Sequence, residues 1–106
     1  MAAPIYSVRF ILAAGGSALE LDYLVPAGKV AVIRDICVGS TDGAAGYAVA
    51  VAIGGVPVHE AILAAGAGQT DHWDGRAVAN AGETIECYKL RAAATCIVSG
   101  YLLTAP

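Results

Sequence analysis

Aromatic residues are scarce in this chain, with one Phe, one Trp and five Tyr among 106 residues, and charged residues make up only 14%. The 58% of hydrophobic residues therefore consists largely of alanine and β-branched side chains. Small side chains bury little area each, at roughly 25 cal/mol per Å². The core is expected to be thin, with association supplying part of the stability. No stretch approaches the roughly 18 consecutive apolar residues of a membrane helix, because Arg9, Glu20, Asp22, Arg34 and Asp35 interrupt the candidates. A basic n-region is missing as well: Met1-Ala2-Ala3-Pro4 carries no Lys or Arg, so the expectation is a chain made in the cytoplasm and not exported. The three cysteines, Cys37, Cys87 and Cys96, are an odd number without a CxxC pair. That argues against a disulfide framework and against a zinc site of standard spacing, and for buried free thiols. Six Lys and Arg stand against nine Asp and Glu, a net charge of -3. The cations, Arg9, Lys29, Arg34, Arg76, Lys89 and Arg91, are scattered, which excludes the electrostatic footprint of direct nucleic-acid binding.

What is present is period-two alternation in short runs bounded by Gly, Pro, Asn and Asp, the pattern of strands and turns. Length and composition fit one folded domain over residues 1–106. Ile5 to Leu12 places Tyr6, Val8 and Phe10 on one face. Leu19 to Tyr23 alternates leucine and tyrosine with carboxylates, which predicts a strand with one wet face. Pro26 and Gly28 form a turn into Lys29 to Val38, where Val30, Val32, Ile36 and Val38 read as one face interrupted by Arg34. Tyr47 to Ile53 and Val56 to Leu63 read as a hairpin joined by Gly54-Gly55, with Pro57 placing the second strand at an edge. Helix formers in Glu60 to Ala67 favour a competing helix, which Gly66 and Gly68 oppose. Gln69 to Trp73 and Arg76 to Ala79 read as two short strands separated by a turn at Asp74-Gly75. Asn80-Ala81-Gly82 opens Glu83 to Arg91, and Thr95 to Leu103 closes the chain, with Cys87 and Cys96 expected on hairpin partners. Eight or nine strands predict an all-β, antiparallel, jelly-roll-like β-sandwich.

Candidate chemistry is sparse. His59, Glu60, Asp71, His72 and Asp74 are the one group of ligand-type residues, without HxH, HExxH or CxxC spacing to fix two ligands in one segment; two surface histidines on neighbouring strands are the simpler reading. No GxSxG, Walker A or GxGxxG motif occurs, so the expectation is a protein without catalytic residues, cofactor or metal. Arg34 and Asp35 are adjacent in a strand, so their side chains are expected on opposite faces, one of them inward and ion-paired. Trp73, within His72-Trp73-Asp74-Gly75-Arg76, could offer a sugar-stacking platform, which makes a carbohydrate-binding module one alternative; core packing at a sandwich edge is the other. Pro26, Gly28, Gly75 and Gly82 are the expected structural turn residues.

Three segments resemble small β-rich virion structural proteins of tailed bacteriophages: Val25-Pro26-Ala27-Gly28-Lys29 with the apolar strand to Val38, Trp73-Asp74-Gly75-Arg76 through Asn80-Ala81-Gly82-Glu83 to Ile85, and Val98-Ser99-Gly100-Tyr101-Leu102-Leu103. The resemblance implies a non-enzymatic virion protein. A capsid decoration protein, docked as a homotrimer on the assembled major capsid protein, suits it best, with a tail-surface or head-fibre component as the alternative. No membrane or nucleic-acid partner is expected, given the interrupted apolar runs and the scattered cations. The apolar, uncharged segment Met1 to Ile5, with Ala2, Ala3, Pro4 and Ile5, is the expected contact arm, and Trp73 is a second possible contact.

Overall fold

Alternation of buried and exposed side chains organises the protein into eight strands and no helix among the described residues, which in this computed structural model are 7–13, 20–40, 47–63, 70–89 and 94–104. The strands are β1 (Ser7–Ala13), β2 (Glu20–Leu24), β3 (Lys29–Ser40), β4 (Tyr47–Ile53), β5 (Val56–Leu63), β6 (Thr70–Asn80), β7 (Thr84–Lys89) and β8 (Ala94–Thr104). They form two four-stranded antiparallel sheets, sheet A in the order β1-β8-β3-β6 and sheet B in the order β2-β7-β4-β5. This is the order of an eight-stranded jelly roll. The proposed arm, Met1 to Ile5, lies outside the described residues.

The sheets enclose a core of Ile, Val, Ala and Cys, with Ile33, Ile36, Ile85, Val25, Val49, Val51 and Val98 fully buried and Phe10 as its one buried aromatic among the described residues. The Phe10 ring packs on Tyr23 at a centroid distance of 5.1 Å. As the sequence predicts, Leu21 and Tyr23 pack inward from β2 while Glu20 and Asp22 are exposed. The β4–β5 hairpin also forms as read. Gly54 and Gly55 take φ of 56° and 83° at its turn, and β5, which contains Pro57, is an edge strand. Through Leu63 the Glu60 to Ala67 stretch is strand rather than helix. Residues 64–67 lie outside the described ones.

Two turns carry the chain from one sheet to the other, and they meet. Lys29 N–H donates to the Pro26 carbonyl at 3.2 Å and Glu83 N–H to the Asn80 carbonyl at 3.0 Å. Gly28 and Gly82 sit at the third position of each with φ of 76° and 83°, the geometry of type II turns. Val25 N–H donates to the Glu83 carbonyl and Gly82 N–H to the Val25 carbonyl, both at 3.0 Å. The β2–β3 and β6–β7 crossings are thus tied to one another by backbone.

Three expectations need correction. Asp74-Gly75 is not a turn: β6 runs unbroken from Thr70 to Asn80, alternating throughout. Gly75 is instead where the Trp73 ring lies, a ring atom standing 2.9 Å from the position a Cβ would take. Second, a β-bulge between Ile33 and Asp35 breaks the alternation of β3. Ile33 and Ile36 are both fully buried, which leaves Arg34 and Asp35 together on the outer face, and Val30 and Val32 share that face rather than the core face of Ile36 and Val38. Third, β7 and β8 belong to different sheets, so Cys87 and Cys96 are not hairpin partners.

Candidate functional site: the outer faces of the two sheets

Sheet A presents its outer face as rows of cross-strand neighbours. Tyr101, Val32 and Val78 form one row across β8, β3 and β6, and Leu103, Val30 and Asn80 the next. Val78, Tyr101 and Leu103 are exposed at 47%, 37% and 39%, and with Val32, Arg34 and Arg76 they line a shallow concavity. The bulge makes this surface. Without it Arg34 or Asp35 would point inward, and Val32 would belong to the face of Ile36. Beyond the bulge stand Ser99, Asp35 and Asp74, then Leu12, Ile97, Cys37 and His72. His72 Nε2 lies 3.2 Å from Asp35 Oδ1, so Asp35 pairs with a surface histidine and not with a buried cation.

Sheet B is different in character. Glu20, Asp22, Glu86 and Tyr88 stand on its outer face beside Ala50 and Ala52, with Glu60 at the β5 edge. Carboxylates of Glu20, Asp22 and Glu86 lie within 4.8 Å of one another. Partial loss of water, the Asp22 carboxyl hydrogen-bonded to it and the charges of Asp22 and Glu86 raise the Glu20 carboxyl above its ordinary value. The acidic group is used internally. Glu86 accepts from the Gly55 amide at 2.7 Å and from the Tyr88 hydroxyl at 2.5 Å.

That last bond favours the neutral phenol and, with lesser contributions from desolvation and the nearby carboxylates, pushes Tyr88 up to about 12. The raised value means that the Tyr88 contribution to stability is complete below about pH 10, the ordinary tyrosine value, and is lost as pH rises through about 12. In a spectrophotometric titration one tyrosine is expected to ionise after the others. Glu86→Gln should bring that late step back toward pH 10.

The histidine–carboxylate group read from the sequence is split three ways. His59 Nε2 lies 2.6 Å from Asp71 Oδ2, linking the β5 edge of sheet B to the β6 edge of sheet A. The His59 ring is 6.4 Å from that of Trp73. His72 and Asp74 are on the outer face of sheet A, and Glu60 is on that of sheet B. Trp73 packs inward against the core, covering the open edge of the sandwich, so its ring is not presented as a sugar platform.

Of the thiols, Cys87 and Cys96 are buried as expected, but Cys37 is exposed, because it alternates with the inward Ile36 and Val38 and faces outward beside Ile97 and His72. The Cys96 thiol is hydrogen-bonded to Cys87 across the interior. That bond holds the Cys87 thiol below its ordinary value, against burial and with help from Lys89, and it pushes Cys96 well above its own, with burial adding to the rise. Lys89 itself, 5% exposed on the inner face of β7, had no signal in the sequence. The strand ends there, and a terminal lysine reads as solvated.

No family model matches the sequence, and no curated protein matches it. Solved structures do resemble it. The NLP-core of Drosophila, described in connection with pentamer formation and histone binding, superposes with a TM-score of 0.55 at 17% identity, over 94% of this chain and 98% of that one. Dimeric latent PorU from Porphyromonas gingivalis superposes with a TM-score of 0.52 at 7% identity, over 94% of this chain but 13% of that one. At such identities the likeness is one of fold.

Proposed function

We propose that this protein is a non-enzymatic structural protein of a tailed-phage virion, a capsid decoration protein that docks as a homotrimer on the assembled major capsid protein. The observation that supports it is the outer face of sheet A. There Tyr101, Val32, Val78 and Leu103 are grouped with Arg34 and Arg76 on a rigid sheet. Tyrosine and arginine are the residue types that most often anchor protein interfaces, since each combines a large apolar contact with directed hydrogen bonds. Repeated on a symmetric shell, a contact of this modest size becomes effective, because many weak copies act at high local concentration. Three sequence segments that resemble virion proteins support the same reading, and Gly100 and Tyr101 of the last one lie at the bulge and on this face.

Co-sedimentation with purified particles tests the proposal. The double substitution Val78→Asp with Tyr101→Asp is expected to weaken particle binding at least tenfold, and to leave the melting temperature within a few degrees because both side chains are already exposed. Sedimentation of the free protein should give the mass of three chains, and imaging of particles should place it on the head rather than the tail. A folded monomer that binds no particle overturns the reading.

A further inference from the structure

Cys87 and Cys96 are consecutive cysteines on consecutive strands that the topology sends to opposite sheets. Cys87 points inward from β7, the second strand of sheet B, where its cross-strand neighbours are Leu21 and Val51. Cys96 points inward from β8, the second strand of sheet A, beside Ala13 and Val38. Exposure of the two is 1% and 0%, and both belong to the one buried cluster between the sheets. Two inward cysteines on facing strands of a β-sandwich are the arrangement from which an inter-sheet disulfide forms. Both are free in this structure. Cys37 cannot take part, since it faces outward on the far side of sheet A.

We propose that Cys87 and Cys96 are a latent inter-sheet disulfide, open in a reducing cytoplasm and closed when the protein meets an oxidising medium. The oxidant is a low-molecular-weight disulfide. A transient opening admits it to the Cys87 thiolate, the better nucleophile of the pair, whose proton is lost to solvent. Attack forms a mixed disulfide and releases one small thiolate. The Cys96 sulfur then displaces the second small thiolate and loses its own proton, so two S–H bonds give way to one S–S bond while the oxidant gains the two electrons and leaves as two thiols. Both sulfurs already lie in the interior between the sheets, so closure draws together two buried side chains and brings neither in from solvent.

The full chain, with and without Cys37→Ser, is treated with oxidised glutathione at a temperature just below its melting point. Expected are the loss of two hydrogens by mass, a peptide pair linking Cys87 to Cys96 after proteolysis, and a rise in melting temperature of about 10 °C for a loop of this length, reversed by dithiothreitol. Before oxidation, the unmutated protein should show one fast thiol, Cys37, and two that react only on unfolding. Glutathione carried separately on Cys87 and Cys96 without a cross-link would overturn the proposal, as would a linked protein that melts below the reduced one. The measurement on the unmutated chain stands whether or not the variant folds.

Discussion

Gly100→Ala is expected to cost about 4 kcal/mol, a large share of the roughly 5 to 15 kcal/mol that holds a domain folded. Gly100 lies on β8 opposite Ile33, where the β3 bulge presses the two backbones together. A methyl group there would stand 1.9 Å from the Val32 carbonyl oxygen and 2.9 Å from the Arg34 nitrogen. These are backbone atoms, so no rotamer change relieves the clash. Either β3 and β8 separate, breaking the central pairing of sheet A, or the bulge is expelled and one of Arg34 and Asp35 is driven toward the core. Chemical denaturation of the purified variant measures the loss. A midpoint within about 0.5 kcal/mol of the parent would show that the approach is not required.

Ile33→Ala is expected to cost about 3 to 4 kcal/mol in the same measurement. Ile33 is fully buried beside the bulge, and its neighbours in this core are mostly valine, alanine and cysteine. Small side chains reach poorly into a neighbour's vacated space, so the cavity stays open and the cost lies in the upper half of the range for such truncations. Val98→Ala, which removes less, should cost about 2 kcal/mol. Equal costs for the two would mean that the core repacks freely.

Strand positions were legible wherever a run kept its period of two, as in Leu19 to Tyr23 and Tyr47 to Ile53, and the jelly roll followed from their number and spacing. The errors come from two sources. A bulge inserts one residue and reverses the inside and outside of everything after it. Nothing local in Val30-Ala31-Val32-Ile33-Arg34-Asp35 marks it, and its one trace is Gly100, 66 positions later. That single phase change explains why Val32 reads as sharing a face with Ile36 and why Arg34 and Asp35 read as lying on opposite faces; Cys37 alternates with Ile36 and Val38 in either phase, and its expected burial rests on the apolar character of its strand alone. The other source is side-chain context. Gly75 resembles a turn glycine until the Trp73 ring is seen to occupy the room beside it. The apolar outer face of sheet A was hidden for the same reasons, since its residues come from three strands and are assembled only by the register of the sheet.

The position of β8 between β1 and β3 bears on the order in which the molecule can form. During synthesis the first seven strands emerge with β1 and β3 unable to pair, because the strand that separates them follows all seven. Sheet A therefore completes only once Thr104 has cleared the ribosome, and until then two strand edges lie open to other chains. Most pairings join residues far apart in sequence, as Ser7 with Tyr101 and Lys29 with Thr104, which places this chain among slow folders.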